Sequence, residues 1–359
     1  MLYHFLYPLH TEISFFNIFR YITFRTIYGS LTAFLICLVL GPWVIRQLKK
    51  MQIGQHIQDD GPQTHLGKKG TPTMGGILIL FSIAFSTLLW ANLANHYVGI
   101  LLLSLFLFGS IGIIDDYLMQ VKKRNMGLSA RGKFLLQVLS ALVISWLIYL
   151  CPDFNTQLTI PFLKNITPDL GLWYIPFAAV VIVGTSNAVN LTDGLDGLAI
   201  GPIIIAAVAY MFFGYVAGHS EIAAYLHVKH IASCGEMAVI CGTIAGAGLG
   251  FLWFNAHPAQ VFMGDSGSIP LGAILGTVAV ITKQEILLVV VGGLFVIEAV
   301  SVILQVGYFK MTKGKRIFRM APLHHHFELK GWAEPKVIVR FWIIAITLAL
   351  ISLSTLKIR

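Results

Sequence analysis

Five strings in this 359-residue chain hold side chains suited to binding phosphate or a hard cation. The first closes an apolar run with two adjacent acids, Asp115-Asp116. An ionised acid inside a membrane helix costs about 2.5 to 3.5 kcal/mol at its centre, and a helix C-terminus disfavours anions. The pair therefore predicts a cationic partner, most simply a divalent metal. The second string, Asn187-Ala-Val-Asn190-Leu-Thr-Asp193-Gly194-Leu-Asp196-Gly197, places a carboxamide or carboxylate at every third residue. On a helix that spacing drifts only about 60° per step, so neighbours stay on one side, and the glycines let backbone approach a ligand. Interhelical asparagine bonds and plain Asp-Gly turns would leave the same letters.

The third string runs from Asn255 to Gly267 and offers Asn255 as a hydrogen-bonding group, Phe262 as a stacking face and Asp265 as a cation ligand. It contains no Lys or Arg to neutralise Asp265. The fourth is His324-His325-His326. Adjacent side chains turn by about 100° on a helix and alternate on a strand, so one metal cannot easily take all three. One or two of them suit donation to phosphate, or a pH-sensitive structural role. The fifth, Lys68-Lys-Gly-Thr-Pro-Thr73-Met-Gly-Gly, leads into an apolar run and suits either a phosphate cradle or a plain basic flank.

These strings sit between long apolar runs. Hydrophobic residues make up 57% of the chain and charged ones 11%, with a mean hydropathy of +0.79. That excludes ordinary soluble classes and predicts one all-α polytopic membrane unit over residues 1–359. A bilayer core of about 30 Å needs roughly 20 helical residues. Ten spans are expected: 23–45, 74–93, 97–114, 134–150, 172–189, 198–217, 236–254, 268–282, 286–309 and 337–356. The eighth is short and glycine-rich. Of the 25 Lys and Arg, 17 fall in segments 46–73, 115–133 and 310–336, on one side of the bundle. The positive-inside bias puts that side in the cytoplasm and both termini outside. Seven of the nine aspartates fall on the same side, which orientation does not explain and a cytoplasmic metal-dependent site would.

The net charge of +9 points to orientation and anionic lipid rather than nucleic acid. The four cysteines lack metal-ligand or disulfide spacing. The first twenty residues lack the layout of a cleavable signal peptide. Segment 151–171 suggests a short hairpin, and 218–230 a short surface helix. Segment 310–336 suits an interfacial basic stretch or a solvated flank. Glu298, Ser301 and Gln305 form one polar stripe in the ninth span, lining a cleft or joining helices. A buried acid there is what a transporter would want, but the other acids gather at span ends, away from mid-membrane.

Taken together, the Asp pair, the 187–197 string, the 255–267 loop and Ala-Pro-Leu-His-His-His-Phe-Glu resemble the bacterial phospho-N-acetylmuramoyl-pentapeptide translocase family over essentially the full chain. The first three strings are shared with the wider polyprenyl-phosphate N-acetylhexosamine-1-phosphate transferases. The triple histidine and the Lys68 segment favour the muramoyl-pentapeptide branch. The resemblance implies transfer of phospho-MurNAc-pentapeptide from its UDP carrier to undecaprenyl phosphate in the bacterial inner membrane, giving lipid I and UMP. It also implies Mg²⁺ as cofactor and a homodimer. Carried over, Asp115, Asp116, Asp265 and His324 are catalytic positions, the three acids also metal positions. Lys68, Thr73, Asn187, Asn190, Asp193, Gly194, Asp196, Asn255, Phe262, Gln305, His325 and His326 are substrate positions. Family members often carry Lys three residues after the Asp pair. Here that residue is Met119, leaving Lys122 or Lys123 to supply the charge. A sister transferase using UDP-GlcNAc is the nearest alternative, and a transporter or lipid-binding scaffold a more distant one. Direct attack by the lipid phosphate is preferred to a two-step path through an aspartyl phosphate.

Overall fold

The computed structural model describes residues 1–51, 70–120, 127–161 and 166–357. Among them every regular element is a helix. Ten long helices carry the chain: α1 (Ile22–Lys50), α2 (Gly76–Trp90), α3 (His96–Gln120), α4 (Ala130–Tyr149), α5 (Tyr174–Thr192), α6 (Ile200–Gly218), α7 (Glu236–Asn255), α8 (Asp265–Ile281), α9 (Gly293–Met311) and α10 (Glu334–Ser354). Eight helical stretches are long and apolar enough to cross a membrane; α2 and α8 are apolar but only 15 and 17 residues long. The chain is an all-helical polytopic membrane protein.

Helix α1 runs past its expected end at residue 45 to Lys50 and α4 starts at Ala130 rather than 134, and further differences fall in α3, α8 and α9. Helix α3 does not end at residue 114 but runs through Asp115 and Asp116 to Gln120, because both carboxylates find donors across the bundle. Helix α8 begins at Asp265 rather than 268. The ninth span is not one helix. Gly292 leaves helical geometry (φ −90°, ψ 19°) and separates a single turn, Leu288–Val291, from α9. In segment 151–171 the described residues form a lone antiparallel bridge, Gln157 to Asp169, and Ser220–Leu226 is the expected short helix.

Helix α8 is the axis of the site. From Ser266 to Ile281 every residue is buried, with α3 and α5 as its main neighbours. A helix apolar on all sides belongs in the middle of a bundle. Hydroxyls stitch it there: Ser104 meets Thr277 at 3.3 Å, and Ser186 donates to the Ile269 carbonyl at 2.9 Å. On α7, Gly242, Gly246 and Gly250 form a small-residue stripe against Thr26, Ser30 and Phe34 of α1; a Cβ on Gly246 would lie 2.0 Å from the Ser30 carbonyl oxygen. At the end of the bundle away from Asp265, Arg25 of α1 holds Glu236 of α7 through two hydrogen bonds of 2.8 and 2.6 Å.

Candidate active site

Backbone contact between α3 and α8 sets the geometry. A Cβ on Gly112 would lie 2.2 Å from the Asp265 carbonyl oxygen, so only glycine lets the start of α8 come this close to the Asp pair one turn further along α3. The chain enters α8 through Gly264, held at φ +71°. Asp116 then caps the helix. Its carboxylate accepts from the Asp265 and Ser266 backbone N–H groups at 3.2 and 2.8 Å, where the helix dipole favours a negative group. A carboxylate 149 positions earlier thus takes the place of a local N-cap.

Asp115 and Asp265 face one another across a cation. Lys133, one turn into α4, donates to Asp115 Oδ2 at 3.0 Å and to Asp265 Oδ2. Asp115 Oδ1 also accepts from the Leu128 N–H at 2.7 Å. Asp265 Oδ1 accepts from Asn190 Nδ2 at 2.7 Å, and Asn190 reaches Ser268 as well. The Asp265 side chain is 23% exposed against 5% for Asp115, so Asp265 is the more accessible of the two. Asp193 follows directly after α5. Burial, with the Asp265 and Asp116 carboxylates close by, pushes its carboxyl up to about 8. Among the described residues, four acids and one ammonium gather here and form an oxygen-rich site in which acids outnumber cations.

The turn after α5 is clamped from below. Asp196 accepts from the Ala259 N–H at 3.0 Å and lies 3.2 Å from His257 Nδ1, while its own N–H donates to Glu334 at 3.0 Å. One potential ligand atom from each of Asp196, His257 and Glu334 lies within 4.8 Å of the others, a second group able to hold a cation. Trp342 Nε1 donates to the Gly197 carbonyl at 3.3 Å. Under Gly194 sits His324, fully buried, its Nε2 only 2.2 Å from where a Cβ would be. Burial holds the imidazole below the usual histidine range, opposed by Glu298. Gly194→Ala is therefore expected to cost about 1 to 3 kcal/mol by forcing this packed ring aside, read as a fall in the denaturation midpoint of detergent-solubilised protein.

Other sequence candidates make contacts of their own, some away from the acids and Thr73 beside them. Asn187 bonds Gln137 of α4 at 2.9 Å, joining two helices. Gln305 bonds the backbone of Ile317 and Phe318, folding the segment after α9 back onto it. His325 pairs with Glu328 at 2.8 Å, and His326 accepts from the Arg319 N–H at 3.0 Å, so the three histidines serve three different partners. Asn255 donates to the Val261 carbonyl at 2.8 Å and shapes its own loop. Half-buried Phe262 pairs its backbone with Pro72 and Gly75, and buried Thr73 packs beside Gly264. Lys68, Lys122 and Lys123 lie outside the described residues. Lys133 was not singled out from the sequence, where it reads as one more basic flank. The available signal was Ser129, whose Oγ accepts from Gly132 N–H, starts α4 and sets Lys133 one turn in.

A helical membrane bundle with acids gathered at one helix start belongs to a recognisable class: residues 98–283 match the family described as glycosyl transferase family 4, and residues 68–80 match phospho-N-acetylmuramoyl-pentapeptide-transferase signature 1. Proteins named phospho-N-acetylmuramoyl-pentapeptide-transferase align over the full length of both chains. The one from Desulforapulum autotrophicum is 81% identical, that from Desulfosudis oleivorans 67% and that from Desulfotalea psychrophila 59%. The chain belongs to the phospho-N-acetylmuramoyl-pentapeptide-transferase family.

Proposed function

We propose that the chain, acting as one integral membrane domain over residues 1–359, transfers phospho-MurNAc-pentapeptide from UDP-MurNAc-pentapeptide to undecaprenyl phosphate. The products are lipid I and UMP. The site faces the cytoplasm of a bacterial inner-membrane protein whose termini lie outside, and the working unit is a homodimer. The observation that carries this reading is the meeting of Asp115 and Asp265, from two distant helices, on the Lys133 ammonium, with Asp116 capping the helix that starts at Asp265. In the reaction an oxygen of the lipid phosphate bonds to the sugar-bearing phosphorus, the bond from that phosphorus to the bridging oxygen breaks, and UMP leaves with that oxygen. A phosphate monoester has a second pKa of about 6, so the nucleophile is mostly dianionic at neutral pH and needs little from a general base.

The donor set suits Mg²⁺, which prefers oxygen ligands and binds one or two carboxylates with substrate phosphates. Asp265 and Asp115 are the residues to hold it, the position between them being one that a cationic ammonium already takes. When bound, Mg²⁺ offsets phosphate charge. Asp116 keeps its place at the start of α8 and so fixes Asp265. Asn190 orients the Asp265 carboxylate, and Lys133, when released from the acids, offers its charge to the transferring group. Lys133→Met, similar in length and uncharged, is expected to lower kcat on the order of 10²-fold, measured as steady-state UMP release. Unchanged turnover would remove Lys133 from the mechanism.

The strings shared with sister transferases leave UDP-GlcNAc as the competing donor; the match over residues 68–80 favours the muramoyl-pentapeptide donor. The test is UMP release by purified protein with undecaprenyl phosphate and Mg²⁺, comparing UDP-MurNAc-pentapeptide with UDP-GlcNAc. Release from the first alone is expected, and release from UDP-GlcNAc alone would overturn the assignment.

A further inference from the structure

Among the described residues, Glu298 is the one acid deep in a span that the proposed chemistry does not use. It lies on α9 and is 0% exposed. Its two oxygens accept from the backbone N–H groups of Leu323 and His324, at 2.6 and 3.2 Å, which open the short helix Leu323–Glu328. The same carboxyl lies 3.4 Å from His324 Nδ1. Ser301, one turn on, donates to the Glu298 carbonyl at 2.7 Å and holds that stretch of α9. A buried acid whose oxygens take two amides of a distant segment fixes where that segment sits.

What it fixes is the ring under the site. His324 is fully buried, and among the described residues neither ring nitrogen has an aligned hydrogen bond. The imidazole is therefore placed by its backbone and by packing, and the backbone is placed by Glu298. Its Nε2 abuts Gly194, the residue after Asp193, and Asp193 lies within electrostatic reach of Asp265 and Asp116. Force is thus passed from α9 through an amide pair and a packed ring to the turn that carries an acid of the site. We propose that Glu298 is a positioning residue for the transfer reaction, holding His324 beneath the Asp193-Gly194 turn. The inference rests on the transferase reading above. It also explains the polar stripe of α9 without a transport pathway: Glu298 and Gln305 each tie down part of the segment that follows α9.

The test uses full-length protein in detergent with three variants: Glu298→Gln, His324→Ala and the double. Glu298→Gln keeps the shape but offers one acceptor where two amides need one each. It is expected to lower kcat about tenfold or more while KM for UDP-MurNAc-pentapeptide moves less than about threefold, since displacement of reacting groups by about 1 Å can cost 10²-fold. If Glu298 acts through His324, the double variant will be within about twofold of His324→Ala alone; multiplication of the two single losses contradicts the proposal. A second readout does not depend on turnover: exchange of the His324 ring C2 hydrogen for deuterium, followed by mass spectrometry. Exchange at least about fivefold faster in Glu298→Gln is expected, as the ring loses its fixed place. Exchange at the wild-type rate overturns the proposal even if the wild-type protein proves inactive on this donor, an outcome that would separately defeat the transferase reading. Glu298→Asp, which keeps the acid but withdraws it by one methylene, is expected to shift exchange in the same direction and serves if the Gln variant does not fold.

Discussion

Asp265→Asn is expected to fold as the parent does and to lose on the order of 10³ in kcat, roughly 4 kcal/mol of transition-state stabilisation. Folding should survive because the start of α8 is capped by the Asp116 carboxylate, not by the Asp265 side chain. Asparagine keeps the volume of aspartate and still offers an oxygen to Asn190 or Lys133. What it lacks is charge at a carboxylate more open than Asp115, where a divalent ion and two phosphates would meet. Measured as UMP release at saturating Mg²⁺, with the denaturation midpoint as control, the variant should be nearly inactive yet as stable as the parent. Asp116→Asn should differ: the weakened helix cap should cost about 1 kcal/mol of stability in addition to activity. A variant of Asp265 retaining more than a tenth of parental turnover would place the reacting phosphates elsewhere.

Arg25→Ala is expected to cost about 3 to 5 kcal/mol of stability with little direct effect on chemistry, since removing one partner leaves a buried charge uncompensated. Arg25 and Glu236 have side chains only 3% and 8% exposed and share two hydrogen bonds. Glu236 also accepts from the Asn92 N–H at 2.9 Å, and the Arg25 guanidinium lies 4.7 Å over the Tyr3 ring. One pair thus ties α1 and α7 to the loop after α2 and to the N-terminal segment. Chemical denaturation in detergent should show the loss. Arg25→Met with Glu236→Leu should regain most of it, because an apolar pair of similar size leaves no charge behind. Equal losses in the single and double variants would show that packing, not charge, dominates there.

The ten apolar runs were plain in the sequence because lipid demands about 20 apolar residues per crossing, and that requirement survives any detail of packing. Their ends were harder. Asp115 and Asp116 look like residues beyond a helix because acids at a C-terminus are unfavourable, yet α3 carries them since Lys133, Leu128 and the start of α8 supply donors from outside the local sequence. Asp265 reads as a loop residue because its cap lies on another helix. The grouping of Asn190 and Asp193 with Asp265 follows the three-residue spacing; Asn187, at the same spacing, turns to α4 instead. Lys133 was hidden because a basic residue at a span end is expected of any membrane protein, and only the fold distinguishes the one that bridges two acids. The triple histidine divides as backbone rotation requires, one ring inward under Gly194 and two toward local partners.

The acids' joint role is most directly tested by diffraction from crystals grown with Mn²⁺ in place of Mg²⁺, recorded at the manganese edge. One anomalous peak in contact with Asp265, beside Asp115 and with Lys133 displaced, is the expected result. A peak held instead by Asp196, His257 and Glu334, with none near Asp265, would contradict it.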